Sequence, residues 1–342
     1  MTKNVIEKNK RSLSIDMVKG LSIMTLFFLH FENGVINADY TYKFFIVRSQ
    51  AFFLVIGWLW GMSSNERTIK SHWEKRKKGL VRPYIILSLL FIAFDLIMVA
   101  ANLMETQVLY RDIYKAATLK GIGTLWFLPA LLGGEMLFLY VKDKKKYVRT
   151  LISMVSILVI TAYYSYFQEG VSIKIIEWFL KTIIACIEAF IYIYIAYYIS
   201  KKYGQRIFNN WSKYRLLAMG IVLLALSFLL HNDLFAYHNS LSQIIFILHN
   251  VCAGIGILLF FRGIESFKAI SKPLAYFGKN SLIIMAFHFC LLFQLAIIFD
   301  KHIMRNEAYE GYITIVYFFV ALIIQILIIE IVNKRFKFII GK

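Results

Sequence analysis

The sequence is poor in proline, in cysteine and in acidic residues. Only three prolines and three cysteines occur among 342 residues, and 20 Asp and Glu residues stand against 39 Lys and Arg residues. The cysteines all lie in apolar runs, with neither metal-ligand spacing nor a pairing pattern, so we expect them to be core or lipid-facing residues. The scarcity of proline argues against a chain built from interrupted helices, which are common in secondary transporters.

The sequence also lacks the polar stretches that would cover a soluble protein. Hydrophobic residues make up 59% of the chain and aromatic residues 17%, and the mean hydropathy is +0.64. Long apolar runs recur from end to end, and a helix of about 20 apolar residues crosses the hydrocarbon core of a bilayer. This composition predicts an all-α polytopic transmembrane helical bundle.

The apolar runs predict ten spans. Their approximate limits are 15–34, 44–62, 80–101, 122–141, 148–167, 175–199, 214–231, 243–261, 278–299 and 312–333. No linker, repeat or shift in composition divides the chain, so we expect residues 1–342 to form one integral membrane domain. The polar N-terminus and the missing small-residue cleavage site argue against a removed signal peptide.

The basic residues alternate between the two sides of these spans. Connections on one side hold 29 of the 39 Lys and Arg residues, and the opposite connections hold seven. By the positive-inside rule, both termini face the cytoplasm. Because the net charge of +19 is spread over short clusters between spans, we expect contact with membrane lipids and not with nucleic acid.

Several ionisable residues fall inside the predicted spans, where a charge is costly and often marks function. The most informative are on helix 1. Lys19 and His30 are eleven residues apart, so they lie within about 20° around the helix axis and about 16 Å apart along it. Asp16 is on the same side and can pair with Lys19. Either this is a functional face, or Lys19 extends to the interface and His30 bonds a neighbouring helix.

Other intramembrane residues leave similar alternatives open. Arg48 lies at a depth similar to that of His30, where it either extends to the interface or binds an anion. His249 and His288 are each a buried hydrogen-bonding residue or a ligand. The histidines show no zinc spacing, so we expect no metal. Asp95, Glu135 and Glu188 either form a relay or are separately hydrogen-bonded.

Five segments together resemble the type-3 membrane acyltransferases, bacterial proteins that O-acetylate sugars of envelope polysaccharides. The segments are "RSLSIDMVKGLSIMTLFFLH", "AFFLVIGWLWG", "KKGLVRPYIILSLL", "TLWFLPALL" and "LAYFGKNSLIIMAFH". Two positions depart from the common pattern: Lys19 stands where many members carry arginine, and Ile56 where a serine often precedes the glycine. The chain resembles the stand-alone form, without an appended hydrolase-like domain.

The resemblance implies a multi-pass enzyme of the bacterial cytoplasmic membrane, an acetyl-CoA-dependent O-acetyltransferase. It would move an acetyl group from cytoplasmic acetyl-CoA to a hydroxyl of an envelope, capsular or lipid-linked glycan at the outer face. It points to His30 as the central catalytic group, to Lys19 as the basic partner of the motif and, more weakly, to Arg48.

A mechanism can be assigned to these residues as a hypothesis. His30 acts as general base or carries the acetyl group, and Arg48 stabilises the oxyanion. We predict that the acyl-CoA phosphates are bound by Lys19, Arg76, Lys77, Lys78 and Arg82. We predict that the acceptor glycan is bound by Trp126, Glu32 and His288. Trp126 also fits the aromatic belt found at membrane interfaces. The sequence leaves homodimerisation open.

Two other classes of function fit the same composition. A transporter or flippase of an envelope polysaccharide intermediate would also have many spans, buried charges and a basic cytoplasmic side. A sensor or assembly partner with inactive acyltransferase machinery is the third possibility. Transfer from acetyl-CoA by the purified protein separates the enzyme from both.

Overall fold

A computed structural model describes residues 12–32, 49–64, 67–166, 174–230, 240–299 and 310–341. Within these ranges the backbone is helical apart from short turns, and it holds no β-strand. The predicted all-α bundle is therefore confirmed.

Twelve helices follow one another in the described chain. They are α1 (Leu13–Glu32), α2 (Gln50–Met62), α3 (Ile69–Ala100), α4 (Thr106–Ala117), α5 (Gly123–Lys142), α6 (Lys146–Tyr166), α7 (Lys174–Ile199), α8 (Lys213–Leu230), α9 (Ser240–Ile264), α10 (Lys268–Lys279), α11 (Ser281–Ile298) and α12 (Glu310–Arg335). Of these described helices, nine are long and apolar enough to cross a membrane, all except α2, α4 and α10. The tenth predicted span is α2, whose predicted first residues lie outside the described ranges.

Helix α3 begins eleven residues earlier than predicted. The Thr68 side chain accepts a hydrogen bond from the Ser71 backbone N–H and so caps its first turn. The helix then continues through a π-helical turn at Lys77–Val81 into its apolar part. Hydropathy had assigned this charged segment to a connection. In the same way, α7 continues beyond Ile199 through a second π-helical turn to Asn210.

Two described helices lie outside the predicted spans, α4 and α10. Helix α10 packs along α1 with the backbones in close contact. A Cβ atom at Gly20 would overlap the carbonyl of Leu274, and one at Gly278 would overlap the carbonyl of Asp16. Only glycine permits such an approach, and it fixes how α1 is rotated in the bundle.

The bundle has a central group of helices and an outer group. In α1 and α9, 61% of the apolar window is buried, whereas in α6 and α8 the share is 17%. Helix α7 packs against both α2 and α5, and α8 packs against α9. The residues that define the candidate site are carried by α1, α2, α3, α5 and α11.

Candidate active site

A cavity of about 360 Å³ lies among α1, α2, α3, α5 and α11. We call it the catalytic cavity. Its polar and charged lining residues are Lys19, His30, Ser49, Arg76, Thr124, Ser281 and His288. We call the end lined by Lys19 and Arg76 the inner end, and the end lined by the two histidines the outer end.

The α1 side of this cavity follows the helical period. Lys19, Ile23, Leu26 and His30 all line it, at spacings of four, three and four residues. Since α1 is helical throughout Leu13–Glu32, its rise separates Lys19 from His30 by about 16 Å, and one helix face connects the two ends of the cavity. The close packing of Gly20 against α10 sets this rotation of α1.

The outer end contains two histidines that are hydrogen-bonded to each other. His30 Nδ1 lies 2.8 Å from His288 Nε2, and the rings stack with centroids 5.0 Å apart. His288 Nδ1 lies 2.6 Å from the carbonyl oxygen of Ile284. A carbonyl only accepts, so His288 Nδ1 carries the proton of that bond.

This arrangement determines the tautomers of the neutral pair. With Nδ1 protonated, the neutral His288 ring has its lone pair on Nε2 and accepts from His30 Nδ1–H. His30 then has its own lone pair on Nε2, on a ring that lines the catalytic cavity. An imidazole in this state is able to take a proton or attack a carbonyl carbon.

Local backbone features hold the histidine pair in place. His288 is the first residue of a π-helical turn in α11, a feature often found at functional sites. The Thr124 hydroxyl, in the first turn of α5, donates to the carbonyl of Met285. Gly123 has φ +51°, and a Cβ there would meet the Phe289 ring, which packs edge-on against His30.

The inner end contains an ion cluster. Glu135 on α5 is fully buried and accepts two hydrogen bonds from the Arg76 guanidinium, one of them at 2.7 Å from Nε. His72 Nε2 lies 3.0 Å from the same carboxylate. A guanidinium has five N–H donors, so Arg76 keeps donors beyond this pair, and its side chain lines the cavity.

Comparison with known protein families identifies the chain. A family model described as "Acyltransferase domain" matches residues 12–332. The chain belongs to the acyltransferase 3 family. The match covers nearly the whole chain, so this bundle is a membrane acyltransferase. No curated protein and no solved structure matched the chain.

In this acyltransferase the residues singled out from the sequence fall into three groups. Those that line the catalytic cavity are Lys19, His30, Arg76, Trp126 and His288. Lys77, Lys78 and Arg82 are exposed on α3 and do not line it. Arg48 lies outside the described residues, and Glu32 is the last residue of α1. The roles assigned to all of them stay predictions.

Sequence reasoning missed the inner ion cluster. It left the role of Glu135 open and gave His72 none, because the segment around His72 was assigned to a connection. The signal in the sequence is Thr68, because threonine is favoured at helix N-caps. A helix that begins after Thr68 includes His72.

Of the remaining intramembrane carboxylates, Glu188 and Glu330 have partners of their own, whereas one carboxylate oxygen of Asp95 has no hydrogen-bond partner in the described part of the chain. Glu188 accepts from the Tyr164 hydroxyl at 2.8 Å, and Glu330 lies 3.5 Å from Lys334. No hydrogen bond among the described residues links Asp95, Glu135 and Glu188 into a relay. His249 bonds Ser227 away from the cavity. In the described ranges, no three His, Cys, Asp or Glu side chains form a metal-ligand group.

Proposed function

We propose that this acyltransferase is an O-acetyltransferase that moves an acetyl group from cytoplasmic acetyl-CoA to a hydroxyl of an envelope, capsular or lipid-linked glycan. The acceptor is at the outer face of a bacterial cytoplasmic membrane. One observation carries the proposal: a single cavity is lined by two cations at one end and by the His30–His288 pair at the other.

The inner end suits an acyl-CoA donor. The excess of Lys and Arg in the connections on one side predicts that this end faces the cytoplasm. Lys19 and the remaining N–H donors of Arg76 provide charge-assisted hydrogen bonds for phosphate or carbonyl oxygens along the donor. Lys77, Lys78 and Arg82, outside the cavity, are predicted to raise the local concentration of the anionic donor.

The outer end suits the chemistry. His30 Nε2 takes the proton of the acceptor hydroxyl while the hydroxyl oxygen attacks the thioester carbonyl carbon. The carbon–sulfur bond then breaks, and the CoA thiolate receives the proton from His30. The products are the acetyl ester and CoA–SH, and the histidine is regenerated.

The same lone pair also permits a covalent route. His30 Nε2 would attack the thioester carbonyl carbon first, and the carbon–sulfur bond would break to leave an acetyl-imidazolium and the CoA thiolate. The acceptor hydroxyl would then attack the acetyl group and free His30, and the hydroxyl proton would pass to the thiolate to give CoA–SH. Arg48 is proposed to stabilise the oxyanion in either route, and Trp126 to stack on a sugar ring. Glu32 is proposed to accept hydrogen bonds from the acceptor.

The test is acetyl transfer by purified protein in lipid vesicles, together with mass spectrometry of envelope polysaccharides from wild-type and deletion cells. His30→Ala should lower transfer at least about 100-fold, since removing a general base typically costs this much. His249→Ala removes a histidine outside the cavity and should retain transfer per mole of folded protein.

Two outcomes would contradict the proposal. Full acetylation by His30→Ala at equal membrane abundance would exclude His30 as the catalytic group. Movement of a lipid-linked sugar without any transfer from acetyl-CoA would assign the protein to the transporters.

A further inference from the structure

A second cavity, of about 830 Å³, adjoins the inner end of the catalytic cavity. We call it the basic cavity. Its charged lining residues are Arg67, Lys70, Lys142, Lys201 and Asp143. Trp60 lines both cavities, so the two spaces share a wall.

Two of the four cations of the basic cavity lie over aromatic rings. The Arg67 guanidinium carbon is 5.0 Å from the centre of the Trp60 ring. Lys201 Nζ is 5.4 Å from the centre of the Tyr197 ring and 3.3 Å from its hydroxyl oxygen. A ligand here meets positive charge and aromatic surface together.

Among the described residues that line the basic cavity, Asp143 is the only acidic one, so the charge of the four cations is not neutralised. Asp143 lies 3.7 Å from Lys142 Nζ, but its side chain is 76% exposed. Burial and the neighbouring Arg76 guanidinium lower the pKa of Arg67, and Glu135 opposes this only in part. A guanidinium whose charged form is disfavoured in this way gains from a bound anion.

We propose that the basic cavity binds the nucleotide end of acyl-CoA. Its phosphates contact Arg67, Lys70, Lys142 and Lys201, and its adenine packs on Trp60 and Tyr197. The linear pantetheine arm then passes Trp60 into the catalytic cavity, with the thioester toward His30. This site deepens the proposed function and rests on it.

The inference differs from the sequence-based assignment of the phosphates. Lys77, Lys78 and Arg82 form a basic run in the sequence but line neither cavity. The four cations of the basic cavity come from the α2–α3 connection, α3, the end of α5 and the π-helical turn after α7, and its aromatic residues Trp60 and Tyr197 come from α2 and α7. Only the fold brings them together.

An anionic lipid head group has the same phosphate chemistry. Two observations favour the nucleotide: the aromatic rings beside the cations, and the wall shared with the catalytic cavity at Trp60. Neither feature is needed for a lipid phosphate, whose acyl chains must remain in the bilayer.

The experiment compares two donors, acetyl-CoA and acetyl-pantetheine, which lacks the nucleotide. Lys70→Gln/Lys201→Gln removes two exposed lysines of the basic cavity at little structural cost. This variant should raise KM for acetyl-CoA about fivefold, as expected for two exposed charge contacts, and leave kcat unchanged. KM for acetyl-pantetheine should not change. Adenosine 3′,5′-bisphosphate should compete with acetyl-CoA in the wild type and compete less well in the variant.

The control is Lys145→Gln/Lys272→Gln, which removes two exposed lysines outside both cavities. Its KM for acetyl-CoA should match the wild type. An equal rise in this control would show a diffuse charge effect and overturn the site. A rise with Lys77→Gln/Lys78→Gln but not with Lys70→Gln/Lys201→Gln would place the nucleotide on the sequence-predicted run instead.

Lipid composition separates the two phosphate sources. In vesicles, phosphatidylglycerol repels the anionic donor, so adding it to phosphatidylcholine should raise KM for acetyl-CoA by the same factor in the wild type and in Lys70→Gln/Lys201→Gln. A rise in the wild type that is absent from Lys70→Gln/Lys201→Gln would assign the basic cavity to lipid and overturn the proposal. If the wild-type protein uses neither donor, the proposed function itself fails.

Discussion

The two ends of the catalytic cavity are built on different principles. At the outer end, two imidazoles are hydrogen-bonded to each other and to a backbone carbonyl. At the inner end, a guanidinium and an imidazole are bonded to one fully buried carboxylate. The hydrogen bonds at the outer end determine which ring nitrogen of each histidine carries a proton. The ion pair at the inner end holds the Arg76 charge in a fixed position.

The difference matches the two tasks of acyl transfer. A buried imidazole that is neutral at rest needs no counter-charge, and it becomes charged only while it holds the proton of the acceptor. A guanidinium within the bundle needs a fixed counter-charge, since an unpaired buried ion is costly. We therefore expect substitutions at the outer end to lower kcat, and substitutions at the inner end to lower stability and the affinity for the donor.

The largest expected effect is at the inner end. Glu135→Gln leaves the Arg76 charge without its counter-ion, and breaking a buried pair costs about 3–5 kcal/mol. Because the Arg76 side chain is 23% exposed, we expect the lower end, about 3 kcal/mol. Thermal unfolding in detergent measures it as a lower melting temperature.

A double variant sharpens this prediction. Arg76→Met/Glu135→Met removes both charges, and such replacements are often neutral for stability. Its melting temperature should be close to that of the wild type. Its KM for acetyl-CoA should exceed the wild-type value, because Arg76 no longer contacts the donor. If Glu135→Gln unfolds at the wild-type temperature, the inner cluster does not hold a charge in place.

The next effect is at the outer end, where His288 is proposed to position His30. His288→Phe removes the acceptor for His30 Nδ1–H, so the ring no longer prefers the tautomer with its lone pair on Nε2. We expect kcat to fall about 10–100-fold, the loss typical when the partner that orients a functional histidine is removed. KM for acetyl-CoA should stay near the wild-type value.

The conservative variant distinguishes positioning from packing. His288→Gln keeps a carbonyl oxygen that accepts from His30 Nδ1–H, so it should retain more activity than His288→Phe. Equal losses in both variants, or losses that appear in KM alone, would argue that His288 contributes only shape.

The two ends also differ in how far the sequence could predict them. The shared face of Lys19 and His30 follows from the helical period, which relates residues on one helix without any knowledge of packing. The contact between His30 and His288 joins residues 258 positions apart and depends on the π-helical turn that begins at His288. No periodicity in the sequence contains that information.

The inner cluster was missed for a related reason. Hydropathy treats a charged residue as a mark of a connection, and His72 and Arg76 belong to a highly charged segment. In the fold, the other charges of this segment are exposed, and Glu135 on α5 pairs with His72 and Arg76, so the segment forms the first part of α3. Hydropathy scores each residue by itself, so it does not register that a charge is paired with a residue of another helix.

The smallest expected effect tests the packing that aligns the two ends. At Gly20 an added Cβ meets backbone atoms of α10, which cannot rotate away, so Gly20→Ala must push α1 and α10 apart. Overpacking of this kind costs about 1–3 kcal/mol, and we expect a net loss of about 1 kcal/mol because the higher helix propensity of alanine offsets part of the cost. Gly79→Ala is the matched control for stability, since a Cβ there meets nothing within 4 Å, and its melting temperature should not fall. Equal melting temperatures for Gly20→Ala and the wild type would mean that α1 tolerates a shift against α10. The rotation that directs Lys19 and His30 to one cavity would then have to be set by α2 and α11.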